Sequence, residues 1–362
     1  MRASSNMALS GGTWLYGRTQ KREMPNMLKD LVRLRPNDVS VWTGSKWQPI
    51  HSWFMVEPPT NRKTISQLNR SARHRGTTAV PRATYDIHLR SGERIGCLGE
   101  STFFTSRGCL LARNLVVGDI LLASRLPAPQ YPVSPQHLPD DMVGWFVGLY
   151  VAEGSQSSDT VQIASHVKEI DRFHRLQTIA TAFHGTCAVH KTGGKSATAN
   201  LNGPVLNAIL DTYVSGRTAK GKHLNVRCWE RPNDFLQAVL EGYLAGDGHY
   251  DRRNNRWRLG FTLNDAWALD MRAICARLGL SLRLNHATHT LNGRQFRGYR
   301  GQIRFKKSAH HNAKEDTEVV AIQQSRARKY WRIVVEGEAQ RFTLASGVLC
   351  GGIPNEAEEN RI

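Results

Sequence analysis

The sequence predicts an α+β protein, all-β toward both ends of the chain, with a unit between them that occurs twice in an αββαββα order. Three observations carry this. Two related apolar nonapeptides, FVGLYVAEG at 146–154 and LEGYLAGDG at 240–248, stand about ninety residues apart, and self-similarity of that kind marks a structural repeat. Each is followed by a strand-like segment and an amphipathic stretch of 3.6-residue period, so the repeat is longer than the nonapeptides. Toward both ends the pattern changes to apolar–polar alternation broken by Gly turns.

After a flanking segment, 1–7, ALSGGTWLYG (8–17) reads as a Gly-Gly turn entering a strand at Trp14, Leu15 and Tyr16. VSVWTGSKWQPI (39–50) reads as two short strands joined by a Gly turn. Residues 57–82 are polar and arginine-rich, longer than a connection usually is unless it has a function or is disordered. TYDIHLRSGERIGCLGESTFFTSRG (84–108) alternates, with turns at Ser91-Gly92 and Arg107-Gly108, and ARNLVVGDILLASRLP (112–127) adds a strand around Ile120. The first all-β half thus covers 8–126, and a Pro-, Ser- and Gln-rich linker, 127–139, ends it.

The first repeat, 140–215, starts with a helix whose Asp140 and Asp141 suit the positive amino terminus. VQIASHV (161–167) alternates as a strand, and 168–183 place Ile170, Phe173, Leu176, Ile179, Ala180 and Phe183 on one helical face. GTCAVHKT and SATANLNG follow as strands, and GPVLNAILDTYV as a short helix. The second repeat, 232–308, begins its helix at Pro232 and Asn233. A hairpin (249–263) turning at Asn254-Asn255, an Asn-capped helix ending at Gly279, and two more strands complete it. The whole central domain is placed at 140–315, the returning all-β strands at 316–352, and a polar, acidic tail at 353–362.

Length and composition bound the function. A chain of 362 residues holds two or three domains with real cores, and a formal net charge of +19 asks for a polyanionic partner. The six cysteines show no CxxC spacing, which points away from zinc and toward a reduced, cytoplasmic setting. No apolar run approaches bilayer length, and the first twenty residues carry no signal-peptide core.

Small residues at helical spacing in both nonapeptides let two helices approach until their backbones nearly touch. Each nonapeptide ends in one carboxylate and a glycine, Glu153-Gly154 and Asp247-Gly248, so the acids finish side by side. Two buried carboxylates repel, and a divalent cation such as Mg²⁺ offsets this while accepting phosphate oxygens from a polyanion. Arginines at 252, 253, 256, 258, 294, 297, 300 and 304 crowd the second repeat's strands; alternate positions share a face, so Arg252, Arg253, Arg256, Arg258, Arg294, Arg297, Arg300 and Arg304 are expected to line a basic groove for double-stranded DNA.

The paired nonapeptides resemble those of LAGLIDADG homing endonucleases in their single-chain, two-motif form. That resemblance implies a monomer with internal pseudo-twofold symmetry and a β-saddle over DNA. It also implies Mg²⁺, with Mn²⁺ able to substitute, held at Glu153, Asp247 and the adjoining Gly154 and Gly248. Each acid would help activate one attacking water. A family lysine organising that water would match Lys222, in GKHLNV before the second motif, or Lys306 or Lys307 at the end of the last strand. The arginine-rich 57–82 segment would extend the DNA contact.

The two all-β ends resemble the halves of an intein (Hint) domain split around the endonuclease: an opening turn, the Leu115-Val116-Val117-Gly118-Asp119 signature, and last strands carrying Val335-Glu336-Gly337-Glu338 and Phe342. The splicing groups of that family are missing. Ala8 stands at the first nucleophile, Glu100-Ser101-Thr102 has no imidazole, and Gly351-Gly352 followed by Ile353 replace the His-Asn pair and its following nucleophile. The expectation is therefore a site-specific DNA endonuclease without efficient self-splicing. The alternatives are an intein using Ser10 or Cys350 as an unusual nucleophile, a non-cleaving DNA-binding module, and an RNA maturase.

Overall fold

A computed structural model gives the fold, and it describes residues 7–19, 22–56, 84–129, 138–157, 159–304, 316–325, 329–336 and 341–351. The 57–82 segment, Lys306, Lys307, Gly352 and Ile353 lie outside the described residues. The chain divides into two compact units, one of Met1–Leu126 with Ser308–Ile362 and one of Pro127–Lys307.

The first unit is almost all β. Its strands are β1 (Ala8–Ser10), β2 (Trp14–Thr19), β3 (Arg22–Met27), β4 (Val39–Trp42), β5 (Trp47–Val56), β6 (Thr84–Leu89), β7 (Arg94–Leu98), β8 (Thr102–Thr105) and β9 (Gly108–Leu111), with one short helix, α1 (Leu28–Leu31). Alternation places Val39, Val41, Ile87 and Ile95 in a common core with Met7, Leu9 and Leu15. Met7 belongs to this fold rather than to a flanking segment: it is fully buried, and its carbonyl accepts the Ile333 N–H at 3.1 Å. The expected strand around Ile120 is reduced to single bridges, Ile120 to Glu318 and Leu121 to Thr105. Asp119 accounts for this locally, because its carboxylate accepts the Val116 N–H at 2.8 Å and holds a turn there.

The second unit repeats itself. Its first half runs α2 (Asp140–Glu153), β10 (Gly154–Ser157), β11 (Thr160–His166), α3 (Ile170–Ala182), β12 (Thr186–Gly193), β13 (Ser196–Asn202) and α4 (Pro204–Tyr213). A small connection follows, β14 (Val214–Ser215), β15 (His223–Leu224) and α5 (Val226–Trp229). The second half runs α6 (Asn233–Asp247), β16 (Gly248–Asp251), β17 (Arg256–Thr262), α7 (Asp265–Leu278), β18 (Ser281–Leu291) and β19 (Arg294–Arg304). The two sheets have matching order, β10-β11-β13-β12 and β16-β17-β19-β18, all antiparallel.

Helix α2 is buried on all sides from Val143 through Val151, as an evenly apolar helix must be. Its amino terminus is fixed by Arg231, itself buried, whose Nε donates to Asp140 at 2.8 Å. In α7, Asn264 caps the first turn by accepting the Trp267 N–H at 3.0 Å, and Gly279 closes it in the left-handed conformation at φ 70°. No helix among the described residues is long and apolar enough to cross a membrane.

The remaining strands, β20 (Val319–Gln324), β21 (Tyr330–Val335), β22 (Arg341–Thr343) and β23 (Leu349–Gly351), return to the first unit. They complete a nine-stranded sheet, β20-β6-β7-β1-β21-β5-β4-β2-β3, and a four-stranded one, β22-β23-β8-β9. Strand β1 therefore lies between β7 and β21, deep in the larger sheet.

Candidate active site

Helices α2 and α6 meet backbone to backbone. A methyl group on Gly148 would lie 1.9 Å from the Val239 carbonyl oxygen, and one on Gly242 would lie 2.0 Å from that of Trp145. A methyl on Gly246 would sit 2.5 Å from the Ala152 Cβ and 3.0 Å from the Glu153 Cγ, which places the Glu153 side chain against the residue preceding Asp247. The contact needs glycine at these positions, and it brings the two carboxyl-terminal acids together.

Gly154 and Gly248 are extended, at φ −84° and −102°, and lead straight into β10 and β16. They are there for space: a methyl on Gly154 would lie 2.2 Å from the Tyr150 ring, and one on Gly248 would lie 2.4 Å from the Leu244 carbonyl oxygen.

Burial raises the pKa of Glu153, and the neighbouring Asp247 charge pushes it further, against the opposing pull of Arg172 and Lys222. Burial likewise raises Asp247, while the Tyr243 hydroxyl, hydrogen-bonded to its carboxyl group, and the Lys222 and Arg172 charges oppose the rise. Two helix carboxyl termini add their own partial negative charge at this place.

Lys222 is 2% exposed and extends across the end of α2. Its Nζ donates to the carbonyl oxygens of Tyr150 at 2.7 Å and Gly154 at 2.8 Å and lies 4.8 Å from the Tyr150 ring centre. Burial lowers its pKa to about 8 against the pull of Asp247 and Glu153. An ammonium has three N–H bonds, so one remains after these two carbonyls. The segment carrying Lys222 is itself held by α7: Asn264 Nδ2 donates to the Lys222 carbonyl at 2.5 Å, and the Leu224 N–H donates to Asp270 at 2.7 Å.

Sequence reasoning missed Arg172. It projects from α3, donates to the carbonyl oxygen of Ala245 near the end of α6, and ion-pairs with Glu169. The two motif helices thus end on different cations, α2 on Lys222 and α6 on Arg172. No local signal marks Arg172, because its partner lies in the other repeat. Tyr243 is legible in hindsight, one helical turn before Asp247 on the same helix.

Among the described residues no group of three or more His, Cys, Asp and Glu side chains comes together as a metal site. What Glu153 and Asp247 offer is two oxygen-donating carboxylates that repel one another. That donor set suits Mg²⁺, which takes one or two carboxylates and fills its other positions with water and phosphate.

The arginines divide by strand register. Arg258 pairs with Gln302, Arg283 with Gln302, and Asn285 with Arg300, so Arg256, Arg258, Arg283, Arg294, Arg300 and Arg304 share the face opposite buried Leu259, Leu282, Leu284 and Ile303. Arg297 does not share it. It lies three positions from Arg294 and from Arg300, an odd step, and strand residues change face at every step, which corrects the expectation of a single arginine face. Arg256 and Arg258 both bind Asp251, at 3.1 and 2.8 Å, and hydrogen bonds from Asn254 and these arginines hold the Asp251 carboxyl well below the usual range. Arg252 and Arg253 are exposed in the turn between β16 and β17.

In the all-β unit, Ala8 is completely buried, and its backbone is closed off by one side chain: the Ala8 N–H donates to Ser101 Oγ at 3.1 Å, and the Ser101 hydroxyl donates to the Ala8 carbonyl at 2.8 Å. Gly351 pairs with Thr102 beside it. Cys350 is wholly buried, and burial pushes its thiol well above the ordinary value, so it is held as an unreactive neutral thiol. Ser10 Oγ lies 3.2 Å from the Thr13 hydroxyl, with no imidazole in that contact to activate it.

No protein-family model matches the sequence. The chain is 23% identical over 216 residues to an iron-sulfur cluster assembly SufBD family protein of Mycobacterium tuberculosis, a match covering 56% of this chain and 24% of that protein. The chain therefore spans about a quarter of the length of the curated relatives it matches. Among solved structures, variants of the homing endonuclease I-DmoI are similar at a TM-score of 0.32 and 12% identity, over 45% of this chain and 88% of theirs. I-DmoI has also been solved in complex with DNA and Mn. A mini-intein variant, Ssp DnaB M86, is similar at a TM-score of 0.23 and 17% identity, over 37% of this chain and 73% of its own.

Proposed function

We propose that this chain is a site-specific endonuclease that cuts both strands of duplex DNA by Mg²⁺-dependent phosphodiester hydrolysis. The observation that carries the reading is the convergence of Glu153 and Asp247 at the ends of two glycine-packed helices, beside the buried ammonium of Lys222. Neither carboxylate is placed there for stability, since burial opposes the ionised form of both and the Asp247 charge further opposes that of Glu153.

In the proposed reaction Glu153 and Asp247 would hold the divalent cation. When bound, the cation polarises the phosphate, makes water a better nucleophile and stabilises the leaving 3′ oxygen. Through that cation the carboxylates would fix the position of the scissile phosphate. Water adds to phosphorus as the bond to the 3′ oxygen breaks, and that oxygen takes up the proton, giving a 5′-phosphate and a 3′-hydroxyl. Lys222, pinned through two of its N–H bonds, would have the third to offer to the charge that develops on the phosphate. Arg256, Arg258, Arg300 and Arg304 supply phosphate contacts on the open sheet face. Lys306 and Lys307, outside the described residues, remain the other lysine candidates.

The all-β unit is proposed as a Hint-like fold that no longer splices: Ala8 has no nucleophile, Ser101 occupies its backbone, and Cys350 is sealed in the core. The test incubates the purified chain and Mg²⁺ with randomised DNA duplexes and sequences the ends. Recurrent ends with a fixed overhang support the reading. Uncut duplexes with both Mg²⁺ and Mn²⁺ refute it and leave a binding module.

A further inference from the structure

The two sheets of the central unit match in strand order but not in the chemistry of their open faces. In the second sheet, register places Arg256, Arg258, Arg283, Arg294, Arg300 and Arg304 on that face with a single carboxylate, Asp251. In the first sheet, Gln162 lies opposite Ser155 and Asn200, and Thr160 opposite Ser157 and Asn202, with His166 opposite Ser196 at the far end. That face carries hydroxyls, amides and imidazoles and no Lys, Arg, Asp or Glu among its described strand positions; Lys191 pairs with Ala197 and so falls on the other side.

We propose that the two repeats bind the duplex by different means: the second-repeat sheet grips phosphates, and the first-repeat sheet selects bases. This rests on the duplex-DNA reading above and goes beyond it, because it assigns affinity and sequence selection to different halves of one target.

A guanidinium near a phosphate releases a counterion whatever the base sequence, and each such contact steepens the salt dependence of binding. Asp251 fixes two of these groups in advance, taking Arg256 Nε at 3.1 Å and Arg258 Nη2 at 2.8 Å, and Gln302 holds Arg256 from the next strand. Neutral amides release no counterion. They discriminate by donor and acceptor pattern, and Asn or Gln matches adenine through its N6 and N7 edge. Gln162 is exposed on this face, opposite half-buried Asn200, so the Gln162 amide is open to such an edge.

The experiment measures binding of the full chain to random-sequence DNA duplexes in EDTA, followed by selection and sequencing, for wild type, Arg258→Gln/Arg300→Gln, and Gln162→Ala/Asn200→Ala. The arginine pair is expected to lower the slope of log affinity against log salt by about two, with weaker binding to every sequence. The amide pair is expected to leave the slope unchanged and to relax selection about tenfold or more in one half of the target only. Equal slope loss in both variants, or relaxation spread over both halves, overturns the division of labour while leaving DNA binding intact. Failure of the wild type to bind duplex DNA, or preference for an RNA hairpin pool over duplex, overturns the duplex reading as well.

Discussion

Replacing Gly148 by alanine sets two physical effects against each other. Alanine favours a helix over glycine by about 1 kcal/mol, so on an isolated helix the change stabilises. Here the new methyl would lie 1.9 Å from the Val239 carbonyl oxygen, a backbone atom that no rotamer change can move. Contacts of this kind essentially never fall below 3.0 Å, so α2 and α6 must part by about 1 Å. Overpacking costs about 1–3 kcal/mol, and a gap of that size forfeits about a quarter to a half of the dispersion energy at Gly144, Gly242 and Gly246. Set against the gain in helix preference, overpacking at the upper end of that range leaves a net loss of about 2 kcal/mol, or a Tm lower by about 4–8 °C for a unit of this size. Calorimetry on the full chain reads this, with Gly12→Ala as control, since nothing lies within 4 Å of a methyl there. An unchanged or raised Tm for Gly148→Ala would refute the backbone contact on which the acid pair depends.

Three further outcomes follow from the same geometry. A raised carboxyl pKa contributes stability that is full below the usual carboxylate range and is lost as pH rises through the folded value. Glu153→Gln should therefore raise Tm at pH 7 in EDTA and abolish the gain from Mg²⁺, which at tenfold over Kd is about 1.4 kcal/mol; a lower Tm in EDTA would contradict this. Lys222→Met should abolish cleavage and also lower stability by about 1–3 kcal/mol, because the carbonyls of Tyr150 and Gly154 lose their shared donor; undiminished turnover would remove Lys222 from the mechanism. Burial raises Asp270 to about 8, so its contribution is present below the ordinary carboxylate value and fades as pH climbs to about 8. Asp270→Asn should flatten the fall in Tm between pH 5 and 8, measured by melting across that range.

What the sequence made legible is what repeats locally. The glycine and alanine spacing in both nonapeptides, the acid at each end and the alternation of β11 and β17 are short-range patterns, and they suffice for the helix pair and its two sheets. Strand β3 carries Pro25 and shows no clean alternation, and it sits at the edge of its sheet, where proline is tolerated. The arginine count suggested one basic face, and only register separates Arg297 from the rest and shows that the open face of the first sheet lacks charge. Arg172, the hold of Asn264 and Asp270 on the Lys222 segment, and the closure of Ala8 by Ser101 join residues distant in sequence, so no window along the chain contains them.

On the proposed function, Glu153 and Asp247 together would hold the cation needed to cut DNA. Single-turnover cleavage of a selected duplex in Mg²⁺ by Asp247→Asn, beside its Kd for that duplex, addresses it most directly. The cleavage rate is expected to fall by about a thousandfold or more, with Kd within about threefold of wild type. Cleavage near the wild-type rate, or loss of cutting that only parallels loss of binding, would contradict it.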